Sequence, residues 1–96
     1  EAPVFVKEVT VEVLESYPMQ VVLRVAGELP TPCHELEWKV ERHEAERRVE
    51  VKLFSVMDPG VICIQVLERF DVRIPLGDFS EYGYRVYLNG QAAGDF

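Results

Sequence analysis

Apolar residues recur at every second position along almost the whole chain, and no segment holds a helical spacing. That period admits strands and excludes helices. Side chains alternate across a pleated strand, whereas one face of a helix is revisited only every ~3.6 residues. Val9, Val11 and Val13 alternate with Thr10 and Glu12, and the β-branched residues fall on one side of the pleat. After Glu15-Ser16-Tyr17-Pro18 comes a second run, Val21, Leu23 and Val25. Folding the two runs about that turn pairs Val13 with Val21, Val11 with Leu23 and Val9 with Val25. All six then share one face, which predicts a hairpin.

The same reasoning extends down the chain. Gly27 to Pro32 contains two prolines, each lacking a ladder donor, and is expected to end the second strand. Leu36, Trp38 and Val40 then face inward, with Glu35, Glu37, Lys39 and Glu41 outward. Across His43-Glu44-Ala45-Glu46, the expected pairs are Val40 with Val49, Trp38 with Val51 and Leu36 with Leu53. The outer face of this hairpin is a lattice of mixed charge, expected to be solvated and to protect an edge.

Asp58-Pro59-Gly60 is a turn signal, because Pro presets φ and Gly accepts positive φ. It leads into Val61-Ile62-Cys63-Ile64-Gln65-Val66-Leu67, which is apolar on both faces and therefore expected to be a buried strand. Pairing across the turn sets Ser55 opposite Cys63, Leu53 opposite Gln65 and Val51 opposite Leu67. The other face carries Phe54 with Ile64 and Val56 with Ile62, beside Met57. Either another part of the fold covers that outer patch, or it is a surface for self-association or a protein partner.

Glu68-Arg69 breaks the alternation and suggests a bulge before Phe70, Val72 and Ile74; Pro75 to Asp78 should end that strand. The last hairpin is Tyr82 to Leu88, a two-residue Asn89-Gly90 turn, and an edge strand from Gln91. Seven evenly spaced strands with no helix predict an all-β, seven-stranded immunoglobulin-like sandwich built from antiparallel hairpins. Ninety-six residues suffice for one such domain, 1–96, and are too few for two.

Cys33 and Cys63 are too few and too far apart for a zinc site, and there is no Cys-x-x-Cys. They are read as a disulfide, the alternative being two buried thiols of a cytosolic protein. Closing a loop of about 30 residues would stabilise by about 3.6 kcal/mol. A disulfide favours an extracytoplasmic setting, secreted, periplasmic or lipid-anchored. Glu1 in place of Met reads as a processed or trimmed start.

The net charge of −7 is spread along the chain: five acids against two bases in residues 1–32, six against five in 33–57, six against three in 58–96. With no basic face to displace phosphate counterions, nucleic-acid binding is disfavoured. No apolar run approaches the ~18–20 residues of a membrane-spanning helix, so this stretch is not expected to insert into a bilayer.

Gly83-Tyr84-Arg85-Val86-Tyr87-Leu88-Asn89-Gly90, preceded by Phe79, resembles the penultimate strand of immunoglobulin-like and fibronectin-III-like sandwiches. In those folds a corner tyrosine, here Tyr84, bonds back to nearby backbone. The chain also resembles small bacterial exported domains, often lipoproteins, of mostly unknown function. The shared motifs are Glu15-Ser16-Tyr17-Pro18-Met19-Gln20-Val21, Leu29-Pro30-Thr31-Pro32-Cys33, Cys63-Ile64-Gln65-Val66 and the terminal Asn-Gly hairpin. The resemblance implies a fold and a compartment. The cysteines depart from the antibody pattern, lying before the third strand and within the fifth.

Catalytic signatures are sparse. His34-Glu35 and His43-Glu44 lack the His-Glu-x-x-His spacing of a zinc peptidase, and on a regular strand the two imidazoles point to opposite faces, so neither a metal nor a cofactor is expected. Ser16, Ser55 and Ser80 stand in no nucleophile elbow, and there is no glycine-rich phosphate loop. The expectation is a non-catalytic binding or accessory module, with Cys33–Cys63 as staple, Trp38 as core anchor and Tyr84 as corner. A second expectation is a protease inhibitor that presents the rigid 29–33 loop.

Overall fold

The computed structural model describes residues 2–96 and has seven strands in two sheets. They are β1 (Phe5–Leu14), β2 (Met19–Leu29), β3 (Glu35–His43), β4 (Arg48–Val56), β5 (Glu68–Phe79), β6 (Arg85–Leu88) and β7 (Gln91–Asp95). A three-stranded sheet of order β1-β2-β5 faces a four-stranded sheet of order β3-β4-β6-β7. This is the expected all-β sandwich. The molecule is long and narrow, 47 × 22 × 19 Å.

Alternation places the core. The inward side chains of β2 (Val21, Leu23, Val25), β4 (Val49, Val51, Leu53), β5 (Ile74, Leu76) and β6 (Val86, Leu88) are all buried between the sheets. The first hairpin forms in the expected register, with Val9 opposite Val25, Val11 opposite Leu23 and Val13 opposite Val21. The last hairpin turns where expected, though its first strand begins at Arg85 and not Tyr82: Asn89 and Gly90 take φ of 50° and 82°, the left-handed pair that a two-residue hairpin turn needs.

Four expectations are corrected. Val40 faces Val51, Trp38 faces Leu53 and Leu36 faces Ser55, two residues away from the expected β3–β4 register. A 3-10 turn at Glu44–Glu46 and a left-handed Arg47 lengthen the connection. A slip of two preserves which face each side chain occupies, so alternation alone cannot detect it.

Second, β5 runs through Pro75 to Phe79 rather than stopping before it. β5 is an edge strand, where a missing donor on the open side costs no ladder bond. A bulge at that point, between the Val21–Gly77 and Val22–Pro75 pairs, absorbs the irregularity.

Third, the pair β4–β6 is parallel, so the fold is not made of antiparallel hairpins alone. Beyond the four residues that pair with β6, the same edge of β4 is completed piecemeal. The Asn89 side chain accepts from Leu53 N–H (2.8 Å) and donates to its carbonyl (3.0 Å), imitating a strand residue. Ala2 then bridges Ser55.

The fourth concerns Val61–Leu67, which is not a strand. Among the described residues it pairs with no strand, β4 included, and none of the expected pairs (Ser55–Cys63, Leu53–Gln65, Val51–Leu67, Phe54–Ile64, Val56–Ile62) forms. The segment instead crosses from one sheet to the other, because β5 takes its ladder from β2.

Candidate functional site

The two ends of the sandwich differ in character. At one end β3 leads into the 3-10 turn and β5 ends on Phe79. Phe79, Tyr84 and Phe96 pack there with ring centroids 4.8–5.3 Å apart. Tyr84 is buried, as a corner tyrosine would be, but its hydroxyl donates to the Glu44 carboxylate (2.5 Å) rather than to backbone. That bond, with the Arg42 guanidinium (2.7 Å), holds the Glu44 carboxyl below the usual carboxylate range. The same bond, together with burial, raises the Tyr84 phenol. Arg42 also lies 3.7 Å over the Phe79 ring and donates to the Asp78 carbonyl. Arg42, Glu44 and Tyr84 thus hold the turn against the aromatic cluster.

The chain crosses between the sheets three times: β5 passes to β6 at this aromatic end, and at the opposite end the other two crossovers lie side by side. β2 passes to β3 through residues 30–34, and β4 passes to β5 through 57–67. The Cys33–Cys63 disulfide joins the two crossovers, with Cα atoms 6.1 Å apart. The shorter crossover is folded inward. Leu29 and Thr31 are buried, and the Thr31 hydroxyl bonds His34 Nδ1 (2.8 Å) and accepts from Cys33 N–H (3.3 Å). The longer one is displayed. Asp58 Oδ1 accepts from Gly60 N–H (3.0 Å) to close its first turn. After that the chain runs from Val61 to Leu67 with neither turn nor bend.

Its side chains are open to solvent. Ile62 is 100 % exposed and Ile64 69 %, with Val61, Val66 and Leu67 also exposed. From Pro59 to Leu67 no residue carries a charge, in a chain where 28 % do. The sequence-derived patch is therefore divided. Ile62 and Ile64 stand on this crossover, while Phe54 and Val56 are half-buried on β4, with the Lys52 ammonium 5.3 Å from the Phe54 ring. Trp38 is not a core anchor: it is 40 % exposed. It sits on the outermost strand of the wider sheet, and three strands cannot fully cover four.

The two histidines are far apart in role. His34 is tied to Thr31, whereas His43 lies on the outer face at the end of β3. His43 Nε2 is 2.9 Å from Glu50 and 3.5 Å from Glu41. The ligand atoms of these three residues fall within 4.8 Å of one another. Sequence reasoning missed this group, because Glu41 and Glu50 face each other only in the observed register. Arg48 also reaches Glu50 (3.4 Å), so a fixed protein cation already shares that carboxylate. A shallow groove of about 640 Å³ on the same outer face runs past Lys39, Glu41, Glu50, Phe54 and Asn89. Its charged lining consists of the Glu41 and Glu50 carboxylates and the Lys39 and Lys52 ammonium groups on an open sheet face.

The chain belongs to the ORF11 beta-sandwich domain family, whose model matches residues 23–96. The match begins inside β2 and takes in the two disulfide-linked crossovers. No curated protein and no solved structure matches the chain.

Proposed function

We propose that this ORF11 beta-sandwich domain is a non-catalytic binding module that works outside the cytoplasm and engages a protein partner through the Val61–Leu67 crossover. One observation carries the reading. A charge-free apolar segment, with Ile62 wholly exposed, is braced by a disulfide at the end of a sandwich whose own core does not use it. Exposing such side chains contributes nothing to folding, whereas burying each against a partner is worth about 1.5–3 kcal/mol. The covalent brace lowers the entropy lost when the segment is ordered by a partner.

The disulfide and the motifs shared with exported bacterial domains, many of them lipoproteins, support an exported bacterial setting, secreted, periplasmic or lipid-anchored. The net charge of −7 supports a protein partner over nucleic acid. The inhibitor reading has less support: Leu29 and Thr31 are buried, which suits residues 29–33 to a buttress for the longer crossover better than to a presented loop.

Ile62→Asp tests the reading. Because Ile62 is fully exposed, the variant should keep the wild-type melting temperature and a stability within about 0.5 kcal/mol. Its affinity for a purified partner of the domain should fall at least about tenfold. A folded Ile62→Asp domain that binds that partner as tightly as wild type would refute the crossover as the binding surface.

A further inference from the structure

We infer that the Cys33–Cys63 disulfide is a redox latch on the longer crossover: a dithiol reductant releases residues 57–67 while the sandwich stays folded. The consequence for binding rests on the crossover as the binding surface, which the latch presents when oxidised and withdraws when reduced.

That bond is what ties the crossover to the body. The hydrogen bonds of the segment all close on itself: Val61 N–H donates to the Asp58 carbonyl (3.2 Å), Gly60 N–H to Asp58 Oδ1 (3.0 Å) and the Gln65 side-chain amide to the Cys63 carbonyl (3.2 Å). Among the described residues, no hydrogen bond, ion pair or ring contact joins 57–67 to the rest of the molecule. Val61, Ile62, Ile64, Val66 and Leu67 are exposed, and no residue of the segment belongs to the core cluster or packs against it.

The other half of the latch is held independently. Leu29 and Thr31 are buried, and Thr31 accepts from Cys33 N–H at its hydroxyl (3.3 Å) and from His34 N–H at its carbonyl (3.2 Å). On reduction Cys33 therefore keeps its place, and Cys63 leaves with the freed segment. Local opening is easiest where few buried apolar contacts and few hydrogen bonds have to break, and the longer crossover has neither holding it to the body. The core loses no member, since all of them lie outside 57–67.

Both cysteines are half-buried and stand outside the core. A thiolate of the dithiol attacks one sulfur of the bridge, forms a mixed disulfide and expels the other cysteine as a thiolate, which takes up a proton. The second thiolate of the reductant then displaces the remaining cysteine, which is protonated in turn. Two electrons pass to the bridge, and the reductant leaves as a disulfide. The freed segment gains backbone entropy, so a partner that orders it binds more weakly.

Backbone order parameters from nitrogen relaxation, measured with no partner present, test the latch. In the oxidised domain the Ile62 and Ile64 amides, which flank Cys63, should stand near the rigid-backbone level of about 0.85, and excess dithiothreitol should bring them below about 0.6. The amides of β2, β4 and β5 should keep their values, and reoxidation should restore Ile62 and Ile64. The double variant Cys33→Ser with Cys63→Ser should show the reduced pattern without any reagent. Values at Ile62 and Ile64 that are the same in both redox states overturn the latch. Collapse of the whole amide spectrum on reduction also overturns it, because the bridge would then be a staple of the entire fold. Since no partner enters the measurement, its failure is distinct from failure of the binding surface, which Ile62→Asp reads.

Discussion

Tyr84 shows how one side chain joins two parts of the fold that are distant in sequence. Its ring packs against both Phe79 and Phe96, and its hydroxyl crosses to Glu44 in the turn between β3 and β4. The folded carboxyl of Glu44 titrates below its unfolded value. Its contribution to stability is therefore present above the unfolded pKa and lost as pH falls through the folded one. For Tyr84 the folded value is raised, so its contribution is intact below the unfolded phenol pKa and lost as alkaline pH rises through the folded one. Tyr84→Phe should therefore lower the melting temperature at pH 7, with the gap to wild type narrowing on acidification below the usual carboxylate range. A gap independent of pH across that range would show that the Glu44 bond contributes nothing. The corner position of Tyr84, next to Gly83 and just ahead of β6, was legible in the sequence through the resemblance to immunoglobulin-like sandwiches. Its partner was not, because Glu44 is only one of many acids until the turn is folded.

Among the elements, β4 shows most clearly what alternation can and cannot specify. Its inward residues were readable, and its register against β3 was not. In the register read from the sequence, Glu41 would face Arg48 and Lys39 would face Glu50, a favourable charge pattern. The observed register instead sets Lys39 opposite Lys52 and Glu41 opposite Glu50. Each exposed pair is worth only a few tenths of a kcal/mol. The turn outweighs them because it is anchored elsewhere: Arg47 donates to the Tyr82 carbonyl (2.8 Å) and its own carbonyl accepts from Arg85 N–H (3.0 Å). On the other edge of β4, Asn89 fills the place a longer β6 would take. Asn89→Gly keeps the left-handed turn and removes only the amide, leaving Leu53 N–H and carbonyl unpaired. Chemical denaturation should show a loss of about 1–3 kcal/mol, the cost of unsatisfied buried polar groups. A loss under about 0.5 kcal/mol would mean that water replaces the amide. The Asn-Gly turn was evident in the sequence; the second job of its asparagine depended on where β6 stops.

For the molecule as a whole, the disulfide links the two crossovers at one end of a long sandwich, and aromatic packing closes the other. Breaking the link by Cys33→Ser with Cys63→Ser frees a 30-residue loop. The expected loss is about 3.6 kcal/mol from loop-closure entropy, a large share of the ~5–15 kcal/mol of a small domain. Denaturation with and without reductant reads the same quantity, and an unchanged midpoint would show the brace to be irrelevant to folding. The sandwich should persist in the double variant under mild conditions, since neither cysteine belongs to the core cluster.

Sequence alone determined the alternation of the strands, most of the residues that face inward, the two end hairpins and the one pairing open to the two cysteines if they are oxidised. These follow from steric rules that act within a few residues, or from having only one possible partner. Tertiary structure decided the β3–β4 register, the parallel β4–β6 pair and the fate of Val61–Leu67. A two-residue slip leaves every side chain on its face, so only distant anchors can choose between registers. A segment apolar on both sides satisfies a buried strand and an exposed interface equally well in sequence. It became a crossover because β2 offered β5 a ladder of eleven paired residues, Met19 to Leu29, while β4 was already flanked by β3 and β6.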